Sequence, residues 1–257
     1  MKTSPLTWTR LEKAALDNGF DVEGPRVADW RTFSSSQTSL KIWLTGLGES
    51  VFVLALSRRQ VFDALEGLGI AWTNPLPPGA AAARSTGDLA SLFRLVRRAF
   101  QLSRALPDEP LEVFVRRTRE LPRTTEAERL VVQRVGQDIF RAGLIDYWEG
   151  RCALTGLAVV ELLRASHIKP WADCETDAER LDVFNGLLLA PHLDALFDRG
   201  LMTLDDDGTP RLADTLDAHA RAALGLSTPL GPARLRAPHH PYLAWHRAHV
   251  FRAATSS

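Results

Sequence analysis

Apolar residues in the first part of the chain recur at spacings that change between those of helices and those of strands. Residues 8–18 have a helical pattern, and the apolar runs 40–45 and 51–56, separated by a turn that contains glycine, predict a β-hairpin. Helical spacing returns over residues 58–68. The order helix, hairpin, helix predicts a small α+β unit at the start of the chain.

Breaks in this pattern divide the chain. Residues 73–88 are rich in Pro, Gly and Ala, which is typical of a loop or linker. Helical spacing follows over 89–106 and, after a proline-containing break at 106–110, in a short helix that ends near residue 120. We therefore expect a first domain over 1–120, with a linker near 73–88, and a second domain over the rest of the chain, residues 121–257.

The second domain should begin with a long helix. Thr125 and Glu128 have the spacing of a capping box, in which the threonine oxygen accepts from the third backbone amide and the glutamate reaches back. Apolar residues then recur at helical intervals as far as Trp148, so this helix is expected to pack on the segment that follows it.

A short extended run ends at His167. Leu163, Ala165 and His167 alternate on one face of this run. Pro170 has no backbone donor, so the strand should stop there. His167 is therefore expected at the end of a rigid element, where its side chain is available for chemistry.

A second strand and a helix are predicted after a polar insert. Asn185 precedes a glycine, which is a turn signal, and residues 187–189 read as a short buried strand. Pro191 can begin a helix whose first turn carries His192 and Asp194. Strand, turn, strand and helix make a compact scaffold able to hold one divalent ion beside one base, a layout suited to cutting a phosphodiester.

Composition limits the class of protein. The chain has 257 residues, of which 45% are hydrophobic, enough for one large or two small cores. It has no apolar run near the roughly 18 residues that span a bilayer, and its start lacks the apolar centre of a signal peptide. The two cysteines, Cys152 and Cys174, argue against a disulfide framework or a four-cysteine zinc site. We expect a cytoplasmic protein with no membrane partner.

Charge gives a weaker indication of function. The formal net charge is zero, which argues against a protein that coats DNA, yet 27 arginines stand against 4 lysines. This bias reflects either recognition of phosphates and bases or a GC-rich genome. Arg97 and Arg98 lie on the predicted helix 89–106 and either follow phosphates or are ordinary surface residues. Lys169 and Arg199, near the predicted hairpin, are the other candidate DNA-binding residues.

Several separated motifs of the second domain resemble one known family in both order and spacing. They resemble the HNH endonucleases, whose nuclease domain is a ββα-metal finger, and most of all the subfamily found in bacterial restriction enzymes. Residues 127–151 also resemble the helix that precedes this finger. The motifs are CALTG at 152–156, ASHIKPW at 165–171, NGLLL at 185–189, HLDALFDRGL at 192–201 and YLAWHRAHVF at 242–251.

The resemblance implies roles for three catalytic residues. His167 matches the histidine that acts as general base, and Asn185 matches the asparagine that ties the loop and orients that base. His192 is the third expected catalytic residue because it is the histidine at the start of the predicted helix. A neutral imidazole at pH 7 can accept the proton of a water molecule.

The metal ligands implied by the resemblance are less uniform. Many relatives have an aspartate immediately before the base, but Ser166 stands there. Asp194 is favoured as a ligand by its spacing and His192 by its residue type, and both cannot face one ion because residues two apart on a helix point about 200° apart. Asp198 is a further candidate. The ion expected is Mg²⁺, with Mn²⁺ or another transition metal as the alternative.

The substrate depends on the first domain, which supplies specificity in relatives of this architecture. The resemblance implies a restriction endonuclease for double-stranded DNA that reads modified cytosine, such as 5-methylcytosine, in antiviral defence. A bacterial cytoplasmic homodimer is expected, since one finger cuts one strand. The aromatic residues of this domain either line a pocket for the modified base or fill a small core. They are Trp30, Phe33, Trp43 and Trp72.

The fold expected from all of this is α+β, with an amino-terminal α+β recognition domain, then helices, then a carboxy-terminal ββα-metal nuclease domain. Two other functions stay open. Ser166 suggests a DNA-binding protein whose finger has lost activity, and the first domain could instead sense a ligand and release a nuclease that cuts without specificity.

Overall fold

A computed structural model describes residues 4–48, 50–122 and 124–252 of the protein. It has the predicted α+β class, with the helices and short strands of the nuclease-like segment in the carboxy-terminal part. The chain forms two compact units that divide between Glu109 and Pro110. Among the residues described, no helix combines the length and the apolar character needed to cross a bilayer.

The first unit is an antiparallel sheet with helices. Its strands follow the spatial order β1-β2-β3-β4-β6-β5. Helices α1 and α3 contact one another and the strands at the centre of this sheet. The elements are α1 (Pro5–Leu16), β1 (Val22–Glu23), β2 (Arg31–Ser34), β3 (Ile42–Leu47), β4 (Val51–Leu56), α2 (Arg59–Ala64), β5 (Ile70–Ala71), β6 (Ala82–Thr86) and α3 (Leu89–Ala105).

The predicted hairpin is present as β3 and β4, which pair from Ile42 with Leu56 to Leu47 with Val51. The turn between these strands contains Glu49, which lies outside the described residues. Helix α1 begins three residues earlier than predicted because Ser4 caps it, its hydroxyl accepting from the Thr7 amide at 3.2 Å.

Helix α2 ends at Ala64, before the predicted limit of residue 68. Two glycines follow it with positive φ, Gly67 at 82° and Gly69 at 68°. Because this left-handed region is readily adopted by glycine, the chain turns away there and the helical spacing of the apolar residues does not continue as helix.

The prediction that residues 73–88 form a linker is wrong for its second half. Residues 82–86 form β6, which pairs with β4 along its whole length, for example Leu54 with Arg84. The physical reason is that small residues have a low propensity for strands, so these residues become a strand because they pair with β4. Ala82 and Ala83 are buried in the sheet.

The two units divide earlier than the predicted domain limit. The buried carboxylate of Glu109 belongs to the first unit, where it accepts from the Ser39 amide at 3.1 Å and the Ser39 hydroxyl at 2.7 Å and pairs with Arg58 at 3.4 Å. Most of the helix that starts there, α4 (Asp108–Thr118), lies in the second unit. The functional domains 1–120 and 121–257 stay a prediction.

The second unit contains the hairpin and helix predicted around His167. In the described part of this unit, two further strands, four short 3₁₀ turns and the remaining helices complete it. Its elements are α5 (Glu126–Tyr147), a 3₁₀ turn (Val160–Leu162), β7 (Arg164–His167), a 3₁₀ turn (Trp171–Asp173), α6 (Asp177–Leu181), a 3₁₀ turn (Val183–Asn185), β8 (Gly186–Leu189), α7 (Pro191–Asp198), β9 (Met202–Leu204), β10 (Pro210–Leu212), α8 (Ala218–Ala223), a 3₁₀ turn (Ala237–His239) and α9 (His240–His249).

The capping box predicted for α5 is confirmed. The Thr125 hydroxyl accepts from the Glu128 amide at 3.3 Å, and the Glu128 carboxylate accepts from the Thr125 amide at 2.8 Å. Helix α5 packs on both strands of the following hairpin, as its apolar spacing predicted, and buries Phe140 and Leu144 against them.

Candidate active site

The scaffold of the candidate site is the hairpin of β7 and β8 with α7 immediately after it. The two strands pair antiparallel from Arg164 with Leu189 to His167 with Gly186. All residues of β8 are buried, as predicted for the strand at 187–189. Helix α7 starts at Pro191, where the missing amide costs no hydrogen bond because first-turn amides have no partner within the helix.

Gly186 allows α5 to approach the hairpin. A Cβ atom at this position would lie 2.5 Å from Cζ of Phe140 and 2.9 Å from the methyl carbons of Leu144. Both of these side chains are buried, so neither has free space into which to move. The glycine therefore sets the distance between α5 and the strand end that carries His167.

We predict that Gly186→Ala lowers the free energy of unfolding by about 1–3 kcal/mol, because the extra methyl group overpacks this contact. Chemical denaturation followed by circular dichroism measures the change. Gly231→Ala is the matched control, since a Cβ atom there meets nothing within 4 Å, and it should stay within about 0.5 kcal/mol. Equal stability of Gly186→Ala and the wild type would contradict this account of the packing.

His167 lies at the end of β7 and is half-buried between two aromatic rings. Its imidazole stacks on Phe140, with ring centroids 3.7 Å apart and an angle of 15° between planes. Trp171 meets it edge-on at 5.6 Å and 89°. The Nε2 atom is 2.9 Å from the backbone carbonyl oxygen of Arg180. These three contacts determine both the plane of the ring and its rotation.

The contact with Arg180 also determines which nitrogen of His167 carries the proton. A carbonyl oxygen can only accept, so Nε2 must donate, and in the neutral ring Nδ1 is left with a lone pair. Nδ1 has no hydrogen-bond partner in the described part of the chain. Burial lowers the pKa of His167 to about 4, although the bond to Arg180 opposes this shift. The ring is therefore neutral near pH 7 and can accept a proton.

Arg180 holds the loop that presents this carbonyl. Its guanidinium donates to the backbone oxygen of Trp171 at 3.3 Å and to the carboxylate of Asp177 at 3.1 Å, and it also donates to the backbone oxygen of Cys174. One side chain thus bonds to three other residues of the insert between β7 and β8. The insert is consequently an ordered segment that supports the imidazole, and not only a loop that connects the two strands.

Asn185 ties the two ends of the same insert together. Its buried side-chain oxygen accepts from the Lys169 amide at 2.8 Å, while its Nδ2 donates to the carbonyl oxygens of Lys169 and Glu179 at 3.1 and 3.2 Å. Nδ2 also lies 3.3 Å from the sulfur of Cys174. The side chain acts on the loop beyond His167, whereas the contacts to the ring come from Phe140, Trp171 and Arg180.

Two carboxylates lie on the other side of β7. They belong to Asp194 and Asp198, and the hydroxyl of Ser166 donates to Asp198 at 3.3 Å. These aspartates are four residues apart on α7 and so share one face of the helix. Burial raises the pKa of both, and for Asp198 the charge of Asp194 raises it further. Ser166, which stands where many relatives have an aspartate, thus bonds one member of an acidic pair.

His192 does not join this pair. Helical geometry turns it about 200° from Asp194, and its side chain is exposed. Because neighbouring residues of a strand point to opposite faces, Ser166 leads to the carboxylates and His167 to α5. The imidazole and the acidic pair therefore lie on opposite faces of β7 near its end, and their joint action on one phosphate stays a prediction.

The acidic pair suits a hard divalent ion. Within the described ranges, no group of three or more His, Cys, Asp or Glu side chains has an arrangement that could hold a metal. Two carboxylates and a hydroxyl match Mg²⁺, which takes one or two carboxylates and keeps several waters. They do not match a structural zinc site, which is closed by four ligands.

The predicted DNA-binding residues differ in how far their side chains are exposed to solvent. The amino group of Lys169 pairs with Glu179 at 2.8 Å, and its side chain is only 12% exposed, so it is not available to a phosphate and this prediction is corrected. Arg199, at the end of α7, and Arg97, on α3, are exposed, whereas Arg98 is half-buried.

The predicted aromatic pocket cannot use all four of its residues. Thr32 pairs with Trp43, and the next pair is Phe33 with Ile42, so Phe33 points to the opposite face of the sheet from Trp43. Trp43 is 3% exposed and belongs to a core cluster against which Trp30 and Trp72 pack, both partly buried. The three tryptophans share one side of the sheet, and Phe33 belongs to the core on the other side.

The carboxy-terminal helix α9 packs against α7 through His246. This buried histidine stacks on Phe197 of α7 at 3.9 Å and 16°. Its Nε2 donates to the Phe197 carbonyl at 3.1 Å, and its Nδ1 accepts from the Thr203 hydroxyl at 3.0 Å. Tyr242 adds a hydrogen bond to Asp182 at 3.0 Å. Helix α9 thus bonds to α7, β9 and the insert.

His246 should make the protein labile to acid. Burial lowers its pKa to about 4, so the unfolded chain, with a pKa near 6.5, binds the proton first as the pH falls. Its contribution to stability is complete above about pH 6.5 and is lost towards pH 4. We expect roughly 2 kcal/mol less stability from this group at pH 5 than at pH 7.5, measured by urea denaturation. His246→Gln should lose this share of the pH dependence and the exposed His219→Gln should keep it; identical stability curves for His246→Gln and the wild type would refute it.

Sequence patterns did not single out several residues of the site. Trp171 ends the motif at 165–171, and Phe140 is one of the regularly spaced apolar residues of α5. For both residues the sequence pattern predicted packing and no contact with His167. Arg180 contacts His167 through its backbone, for which the sequence has no signal.

The hairpin followed by a helix, with an oriented imidazole on one side of the strand end and a carboxylate pair on the other, resembles the class of domain called a ββα nuclease finger. Residues 152–205 match the family model described as HNH endonuclease. The match spans the hairpin, α7 and β9, and it supports an endonuclease domain that acts on DNA. The motifs at 127–151 and 242–251 lie outside it. No curated protein matches the chain.

Proposed function

We propose that the protein is a metal-dependent HNH endonuclease that hydrolyses phosphodiester bonds of double-stranded DNA. The observation that carries this proposal is the orientation of His167, whose Nε2 proton is committed to the Arg180 carbonyl and whose Nδ1 lone pair is left to act as a base. An imidazole held in this way presents one acceptor nitrogen in a fixed direction.

The chain's own groups would act in order. Nδ1 of His167 takes a proton from a water molecule, the water oxygen bonds to phosphorus, and the bond to the 3′ oxygen breaks, with solvent returning a proton to the leaving oxygen. Asp194 and Asp198 would hold the divalent ion, and Ser166 holds the carboxylate of Asp198 in place. The ion, Mg²⁺ by the donor chemistry, would stabilise negative charge on the phosphate oxygens.

The test is cleavage of supercoiled plasmid with Mg²⁺, Mn²⁺ or a chelator. The proposal expects nicked and linear products with an ion and none with the chelator. No cutting with any ion, while DNA is still bound, would favour the rival function of an inactive DNA-binding protein. The replacement of the usual aspartate by Ser166 is the observation behind that rival.

The finer proposal concerns specificity and context. We infer a bacterial cytoplasmic restriction enzyme that acts as a homodimer, with the first unit reading modified cytosine. The partly buried Trp30 and Trp72 beside Trp43 are the aromatic residues that support a base-binding surface, although burial of Trp43 equally suits a core. Paired substrates with and without 5-methylcytosine test this. Equal cutting that requires an added activator would favour a ligand-released defence nuclease.

A further inference from the structure

Arg164 is an exposed cation on the face of β7 that leads to the acidic pair. It is the first residue of the strand, two positions before Ser166, so its side chain leaves the strand on the same side. Helix α7 packs against β7 on this side, where Ser166 reaches Asp198 at 3.3 Å. Arg164 therefore lies beside the carboxylates and not beside the imidazole.

Arg164 leaves β7 on the face against which α7 packs, the helix that carries Asp194 and Asp198, without being paired to either carboxylate. Over residues 4–48, 50–122 and 124–252 Arg164 makes no ion pair within 4.0 Å and no side-chain hydrogen bond. An arginine whose only role was to neutralise the acidic pair would form a direct ion pair with one of the carboxylates, because a bidentate contact is the favoured geometry.

We propose that Arg164 binds a non-bridging oxygen of the phosphate that is cleaved, an inference that rests on the proposed nuclease function. Its donors are free, the group stays charged at any working pH, and its planar fork matches a phosphate. Negative charge grows on these oxygens as the water attacks, so a fixed cation there stabilises the transition state more than the bound substrate. Arg164 would thus complete the site with His167 and the acidic pair.

The test compares Arg164→Gln and Arg164→Lys with the matched control Arg116→Gln, which removes one equally exposed charge from α4. We expect the single-turnover rate of plasmid cleavage to fall roughly 100-fold in Arg164→Gln, with about tenfold recovered in Arg164→Lys and a change below about twofold in the control. For DNA binding in Ca²⁺, the slope of log affinity against log salt should shrink by about 0.9 in Arg164→Gln, as for one lost phosphate contact.

Mn²⁺ binding without DNA separates this role from a structural one. Arg164→Gln should bind Mn²⁺ as well as the wild type or more tightly, because a repulsive charge is removed. Weaker Mn²⁺ binding would show that Arg164 shapes the acidic pair, and it would overturn the proposal. A wild-type rate and salt slope in Arg164→Gln would overturn it too while the nuclease function stands. If the wild type cuts with no ion, the proposed function itself fails.

Discussion

His167→Ala is expected to slow plasmid cleavage by about 10²–10⁴-fold while DNA binding stays within about twofold, because the variant loses the base but none of the exposed cations. The stack on Phe140 and the bond to Arg180 hold the imidazole with Nδ1 free, so no other group in the hairpin can replace it at the same position. Single-turnover nicking of supercoiled DNA measures the rate, and fluorescence anisotropy in Ca²⁺ measures binding.

The matched control is His219→Ala, which removes an exposed histidine from α8 and should leave both quantities unchanged. Since burial lowers the pKa of His167 to about 4, the wild-type rate should rise with pH through that value and be level above about pH 5.5. A rate that halves near pH 6.5 would contradict the burial of the ring. Cleavage retained by a folded His167→Ala would show that the base lies elsewhere.

Asp194→Asn is expected to reduce cleavage in Mg²⁺ by at least about 100-fold and to weaken Mn²⁺ binding measured by calorimetry without DNA. The substitution keeps the size of the side chain but removes the charge that an ion needs. Because Asp198 shares the same face of α7, Asp198→Asn should have a smaller effect in the same direction.

Two further variants make this prediction specific. Asp214→Asn removes an exposed carboxylate away from α7 and should leave Mn²⁺ affinity unchanged. His192→Ala decides between the two ligands proposed from sequence: a change below about threefold fits its exposed position, whereas loss of Mn²⁺ binding would return the ligand role to His192. In that case the first turn of α7 would have to rearrange when the ion binds.

Local sequence signals predicted much of the second unit. Proline at 191, the capping box at Thr125 and the glycine after Asn185 act over a few residues, and the structure has the corresponding helix starts and strand. The same kind of signal failed at residues 82–86, because the partner that makes them a strand lies some thirty positions earlier in β4. Lys169 failed likewise, since its ion pair with Glu179 depends on how the insert folds back.

Alternation, caps and turns lie in neighbouring residues, so they were enough to predict the order of strand, strand and helix and to propose a base at 167 and an acid at 194. Tertiary structure decided which nitrogen of His167 is free, that Asp198 and Ser166 accompany Asp194, and that Phe33 faces away from Trp43. These outcomes depend on contacts between residues distant in the chain, where packing and register, not local preference, set the geometry.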